Sequence, residues 1–195
     1  MTQLDSDGAA DVTDAPRVNA VGDLELTDPA AMRALAEPTR LALFDRLRRG
    51  PATAAALAAA VDDPEAAVHA DLAELESVGL VMREGDEWRA VAKGFVFEIP
   101  DDPEIQTAAR RLSGTMMLAY DDLPARWVAE IEPQLELDWV RASGLLNARV
   151  ALTPEELRSV ELGLERLLEP FLTRQSAPPS ARPVRILSYF LPEAP

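Results

Sequence analysis

The side chains able to do chemistry are few in kind. One histidine, His69, and no cysteine occur among 195 residues. Disulfides, thiolate metal centres, cysteine nucleophiles and multi-imidazole metal sites are thereby excluded. Carboxylate-only metal sites survive that test, but no Asp/Glu spacing resembles a calcium loop. There is no glycine-rich phosphate loop and no nucleophile elbow. The adjacent pairs Asp101-Asp102 and Asp121-Asp122 stand at the ends of expected helices, where such carboxylates act as caps far more often than as dyads. The chain is therefore expected to be no enzyme and to need no cofactor. Two groups of bases remain, Arg46, Arg48 and Arg49 in one and Arg83, Arg89 and Lys93 in the other, with no Lys or Arg between Arg49 and Arg83. Among the aromatics, Trp127 and Trp139 flank Pro133 in a poorly patterned segment. They are the candidates for lining an apolar ligand pocket, with plain core packing as the competing role.

Composition bounds what can hold these groups. Hydrophobic residues make up 48% and aromatics only 5%, so a core must be built from Leu, Ala and Val, which favours helices. The net charge of −15 is spread evenly. Residues 1–27 hold six acids and one Arg, 28–99 thirteen acids and eight bases, and 100–195 fifteen acids and ten bases. Such a balance repels polyanions at long range. No basic start followed by an apolar run marks a signal peptide, and no apolar run reaches membrane-spanning length. A cytoplasmic protein without membrane attachment is expected.

Residues 1–23, rich in Asp, Ala, Gly and Thr, read as a disordered acidic leader. Thr27 or Asp28 then caps a helix over 29–36, and Pro38 opens another over 39–49 that buries Leu41, Leu43, Phe44 and Leu47 and stops at Gly50-Pro51. Thr53 caps a short helix over 54–61. Asp62-Asp63-Pro64 makes a turn, with Asp63 as cap for a helix to Ser77 that buries Val68, Leu72 and Leu75 and ends at Gly79. Residues 80–83 and 88–92 alternate like a hairpin around Gly85, and 95–99 read as a further strand or extended linker. A helix over 103–123 carries Ile105, Ala109, Leu112, Met116, Ala119 and Leu123 as a coiled-coil-like stripe. A second helical stretch covers 125–132. Beyond it, 145–152 read as a strand, Thr153 with Glu156 as a capping box for a helix to about Thr173, and 184–191 as a last strand.

Residues 34–92 resemble the winged-helix domain of the ArsR-type bacterial repressors. Ala34-Leu35-Ala36-Glu37-Pro38-Thr39-Arg40 is similar to that family's LADPTR segment. Leu72, Leu75 and Gly79-Leu80-Val81 are similar to its HLxxLxxAGLV segment, and Thr53 with Leu57-Ala58 to the start of its third helix. The carboxy-terminal half, at residues 152–157 and 181–185, more loosely resembles the extension of longer members. The resemblance implies a mainly α chain with small β elements (α+β). A winged helix-turn-helix over 24–99 precedes a long dimerisation helix, and a small α+β C-terminal domain completes residues 100–195. It implies a homodimer that binds double-stranded operator DNA and regulates transcription. A small organic effector would act through the C-terminal domain.

On that reading the helix from Pro64 to Glu74 is presented to the major groove, and Arg40, Arg48, Arg49, Arg83 and Arg89 supply phosphate or minor-groove contacts. Arg40 has a second role open to it, a tie between helices through Glu37 or Asp71. The groove-facing helix departs from the family. Its usual polar positions are Ala66, Ala67 and Ala70, Asp71 stands where His is common, and Glu65, Glu74 and Glu76 oppose a polyanion. His69 alone offers a donor to a base or phosphate, or is an idle surface residue. Either the wing and helix ends hold DNA while the alanine methyls meet thymine methyls, or the domain has become a protein- or ligand-binding module. Metal sensing through Cys or His clusters is not expected.

Overall fold

The computed structural model describes residues 17–193. Short acceptors set the helix starts. The Asp28 carboxylate accepts the Ala30 N–H at 2.8 Å and opens α1 (Pro29–Leu35), while α2 (Pro38–Leu47) begins on its proline after an uncapped Glu37. Thr53 Oγ1 accepts the Ala56 N–H at 3.3 Å at the head of α3 (Ala54–Val61). The next helix, α4 (Glu65–Ser77), starts one residue later than its sequence suggests. Asp63 does not cap it. The Asp63 carboxylate instead accepts the Thr39 hydroxyl at 3.4 Å, and the Pro64 carbonyl takes the N–H groups of Ala67 and Val68. Between α3 and α4, Asp62 adopts the left-handed conformation at φ 58°, which a short Asx side chain tolerates.

Among the described residues, five short strands accompany these helices. β1 (Asp23–Glu25) pairs in parallel with β5 (Gly94–Val96). β2 (Ala52–Thr53), β3 (Val81–Glu84) and β4 (Glu87–Ala90) form an antiparallel sheet in the order β2-β4-β3, with Ala52 opposite Trp88 and Met82 opposite Arg89. The expected hairpin is present, shifted by one residue. Neither β1 nor β2 stood out in the sequence, because strands of two or three residues carry no readable alternation. Leu35, Leu41, Leu43, Phe44, Leu57, Val68, Leu72, Leu75 and Leu80 fill the core, and Phe44 meets Phe95 at 5.7 Å between ring centroids.

The helix expected over 103–123 is α5 (Pro103–Ala119), capped by Asp102, whose carboxylate accepts the N–H groups of Glu104 and Ile105. Part of its apolar stripe is covered within the chain. Ala108, Ala109 and Leu112 are buried against α1, Thr115 donates to the Ala36 carbonyl at 2.8 Å, and Arg33 pairs with Glu104 at 2.8 Å. Arg111 pairs with Glu37, and the Tyr120 hydroxyl donates to Asp45. Of that stripe Ala109 and Leu112 are buried and Ile105 and Met116 partly buried, while Ala119 is exposed and the outward side of α5 carries Met117 and Leu118.

Two compact units divide after Asp121. In the second, α6 (Leu123–Arg126) runs into a π-helical turn (Trp127–Ile131) and a 3-10 turn (Glu132–Gln134). Two more helices follow, α7 (Leu137–Ala142) and α8 (Pro154–Leu172), the latter headed by the expected capping box of Thr153 and Glu156. The strands expected at 145–152 and 184–191 are not strands. Both segments lack a ladder among the described residues, since an apolar extended run becomes a strand only when a neighbouring edge takes its backbone groups. The small sheets therefore belong to the first unit, and the fold is mainly helical α+β with its helix-turn-helix at the N-terminal side. Of the leader, residues 1–16 lie outside the described residues. Residues 17–23 hold a turn around Asn19, whose side chain accepts the N–H groups of Val21 and Asp23, and Val18 bridges to Leu24. No helix among the described residues is long and apolar enough to cross a membrane.

Truncating Leu72, fully buried at the centre of α4, is expected to cost about 2–5 kcal/mol in urea denaturation. A second expectation concerns Asp23. Burial pushes its carboxyl above the ordinary carboxylate value, against the pull of Arg48 and Lys93. The stability this group contributes is therefore full in acid and is lost as pH rises through its raised folded value. Asp23→Asn should gain on the wild type in urea melts as pH is raised from 3.5 to 7; a pH-independent difference would contradict it.

Candidate nucleic-acid interface

A helix buried along one side presents the other. With Val68, Leu72 and Leu75 in the core, α4 turns Glu65, Ala66, Ala67, His69, Ala70, Ala73 and Glu74 to solvent. The alanine positions named from sequence thus share one exposed surface with His69. That surface is smooth and apolar in the middle and acidic at its ends. His69 Nε2 lies 3.6 Å from Glu65 Oε1 one turn away, so the imidazole has a local carboxylate neighbour. No Lys or Arg belongs to α4.

Arg40 is committed inside the domain. Its Nε donates to the Ala34 carbonyl at 2.7 Å and its Nη1 to Asp71 Oδ1 at 3.2 Å, both contacts partly buried. One guanidinium therefore adds a second bond to an end carbonyl of α1, which also accepts the Glu37 N–H at 3.5 Å, and fastens α2 to α4. The tie through Asp71 is the role realised, and the position where Asp replaces the family's usual His has a structural partner.

The wing carries its bases in two states. Arg89 Nε sits 2.8 Å from Glu84 Oε1 across the hairpin, and Glu84 faces Glu87 directly, so Arg89 offsets a like-charge pair. Arg83 has no carboxylate partner among the described residues. Its Nε donates to the Gly85 carbonyl at 2.9 Å and its guanidinium lies 6.0 Å from the Trp88 ring centroid, which holds the side chain along the wing in cation–π range. On α2, Arg48 pairs with Asp45 at 3.0 Å. Arg46 and Arg49 are exposed and carry no ion pair among the described residues.

Sequence separates the bases of α2 from those of the wing; the sheet joins them. Because Ala52 pairs with Trp88, Gly50-Pro51 lies beside Ala90–Ala92, at the end of the sheet away from the Gly85 turn. Arg48, Arg49, Arg89 and Lys93 line one open cleft there, of about 470 Å³, with Val18, Leu47 and Val91. The two-residue strand that creates this convergence had no sequence signal beyond the cap Thr53. A Cβ at Gly94 would lie 2.5 Å from Asp23 Oδ1, so a larger residue there requires the Asp23 side chain to move.

Trp127 and Trp139, the expected ligand-lining pair, are half-buried on separate elements of the second unit. The Arg182 guanidinium lies 5.4 Å from the Trp139 ring centroid while pairing with Glu136 at 2.6 Å. Together with the bond from Arg182, backbone hydrogen bonding holds the Glu136 carboxyl below its ordinary value. Among the described residues no group of three or more His, Asp or Glu is placed to hold a metal ion.

Residues 35–84 match the family model of a helix-turn-helix domain. The matched segment runs from the last residue of α1 through the α3–α4 pair to the end of β3, so it contains the exposed alanine surface and Arg83. No curated protein matches the chain.

Arg40→Gln separates fastening from nucleic-acid contact, because the amide lacks both the charge and the fork that reaches two acceptors. The variant is expected to lose about 1–2 kcal/mol in urea denaturation. The salt dependence of any duplex binding should not change, and a shallower slope would move Arg40 into the interface.

Proposed function

We propose that the chain is a DNA-binding transcriptional regulator of the ArsR type, working as a homodimer and not responding to metals. The observation that supports this best is the helix-turn-helix with a complete wing, in which one side of α4 is left exposed and a wing arginine, Arg83, has no carboxylate partner among the described residues. Duplex DNA is bound mainly through its phosphates, and Arg46, Arg49 and Arg83 are exposed bases of the helix-turn-helix and wing with no ion pair among the described residues. Ala66, Ala67 and Ala70 offer methyl groups to thymine methyls in the major groove, and His69 offers one hydrogen bond. Arg48 and Arg89 join the contact set only by exchanging Asp45 and Glu84 for phosphate. The effector reading keeps Trp127 and Trp139 as pocket residues, with Arg182 moving off the Trp139 ring when an apolar ligand enters.

A second reading has its own observation. Glu65, Glu74 and Glu76 are exposed on α4, which holds no Lys or Arg, and such a surface suits a basic or apolar protein partner better than a polyanion. The two readings part in one titration. Fluorescence anisotropy against the chain's own upstream DNA, repeated from low to physiological salt, should give site-preferring binding whose log affinity falls linearly with log salt. Arg83→Ala and Arg49→Ala should each weaken binding on all sequences and reduce the slope by about one. Absence of binding at the lowest salt would reject the regulator and leave the interaction module.

A further inference from the structure

In a chain with 34 acids against 19 bases, one concavity of the first unit carries the opposite sign. The open cleft of about 470 Å³ beside the β2-β4 pairing is walled by twelve described residues. Four of them are Arg48, Arg49, Arg89 and Lys93, none is Asp or Glu, and half are Val, Leu, Ala or Pro. Three carboxylates act on those bases from outside the walls. Asp45 pairs with Arg48 at 3.0 Å and Glu84 with Arg89 at 2.8 Å, while Asp23 lies within electrostatic reach of Arg48 and Lys93. Four cations against three anions leave one positive charge over, and Arg49 is exposed without an ion pair among the described residues. The surrounding backbone holds the walls in place. The Lys93 N–H donates to the Gly22 carbonyl at 2.8 Å, and the Lys93 stem runs along Gly22, where an added Cβ would meet its Cδ at 3.0 Å. Gly22 adopts φ 94°, a conformation that favours glycine, in the turn closed by the Asn19 side chain. Arg48 Nη1 donates to the Lys93 carbonyl at 3.5 Å, which ties α2 to the same turn. On the other side a Cβ at Gly50 would meet nothing within 4 Å, so the cleft is open there.

We infer that this cleft binds a small organic monocarboxylate with an apolar body. The carboxylate is taken by Arg49 and Lys93, and the hydrocarbon part lies over Val18, Leu47 and Val91. Small-molecule sites combine apolar walls with a few placed polar groups, and a guanidinium with an ammonium supplies charge-assisted hydrogen bonds to one carboxylate. Val18, 51% exposed, and the half-buried Val91 have apolar surface left for a ligand to cover. Asp45 and Glu84 keep their own bases, so no ion pair is broken on entry. The single unmatched charge favours a monoanion over a phosphate dianion. A duplex fits less well, since a phosphodiester backbone gains nothing from apolar walls and the cleft lies at the sheet end away from the Gly85 turn. The site is separate from Trp127 and Trp139 of the second unit. It goes beyond the regulator reading and does not rest on it, although Arg49 is common to both.

The test titrates sodium octanoate, below its aggregation concentration and at constant ionic strength, into the isotope-labelled full chain. In nuclear magnetic resonance spectra the amide signals of Gly22, Gly50, Val91 and Lys93 should move together and saturate. Octanol keeps the body and lacks the charge; acetate keeps the charge and lacks the body. Each should bind more weakly by about tenfold or more. Arg49→Gln with Lys93→Gln alters two exposed side chains and should weaken octanoate to a similar degree, whereas Arg166→Gln on the exposed surface of α8 should leave it unchanged. Shifts confined to residues 122–193 would place octanoate on the exposed apolar side chains there and overturn the proposal. Equal binding of octanol or acetate, or a double variant that binds like the wild type, would overturn it as well. Inorganic phosphate that moves the same amides at lower concentration than octanoate would assign the cleft to phosphate and do the same. Octanoate binding that persists in a chain unable to hold duplex DNA upholds the cleft and counts against the regulator alone.

Discussion

Burial of Val68, Leu72 and Leu75 fixes the rotation of α4 about its axis, and most of what the first unit can do follows from that rotation. A one-residue change of phase would bring Ala67 or His69 inward and expose a leucine, forfeiting apolar burial worth about 1.5–3 kcal/mol per side chain. The surface made of Ala66, Ala67, His69 and Ala70 is therefore the complement of the core rather than an independent feature. Arg40 reinforces the same constraint from the polar side by holding the end of α1 and Asp71 of α4 with one guanidinium.

Electrostatics in this domain is divided between fastening and display. Arg40 and Arg48 are engaged by Asp71 and Asp45, and Arg89 relieves the facing glutamates of the wing. Arg46, Arg49 and Arg83 remain directed to solvent. In a chain of net charge −15 long-range steering opposes approach to a polyanion, so under the proposed function contact with a duplex would rest on a few exposed guanidinium groups within a screening length of the phosphates. The cleft formed by Arg48, Arg49, Arg89 and Lys93 concentrates four of the 19 bases at the sheet end opposite the wing tip.

The two units differ in how they use the same Leu-rich composition. In the first, α1, α2, α3, α4 and α5 enclose a common core of leucines and Phe44. In the second, a helix as clearly marked in the sequence as α8 stands with its apolar residues uncovered. Local signals explain the difference. Capping boxes, prolines and periodicity specify that a helix forms; they say nothing of what covers it, because cover is supplied by residues distant in sequence or by another chain.

From its residues alone the chain determined the helix starts at Asp28, Thr53 and Thr153, the stop at Gly79, which adopts φ 72°, the wing, the buried face of α4 and the absence of thiol chemistry. Each is a local matter, decided by backbone capping, φ preference or a 3.6-residue period. Tertiary structure decided that Arg40 fastens helices, that Ala108, Ala109 and Leu112 of α5 are buried against α1, that β2 draws the bases of α2 to those of the wing, and that 145–152 and 184–191 join no ladder among the described residues. Those outcomes depend on which surfaces meet, and a guanidinium or an apolar stripe has the same appearance in sequence whether its partner is an aspartate, a neighbouring helix or a molecule outside the chain.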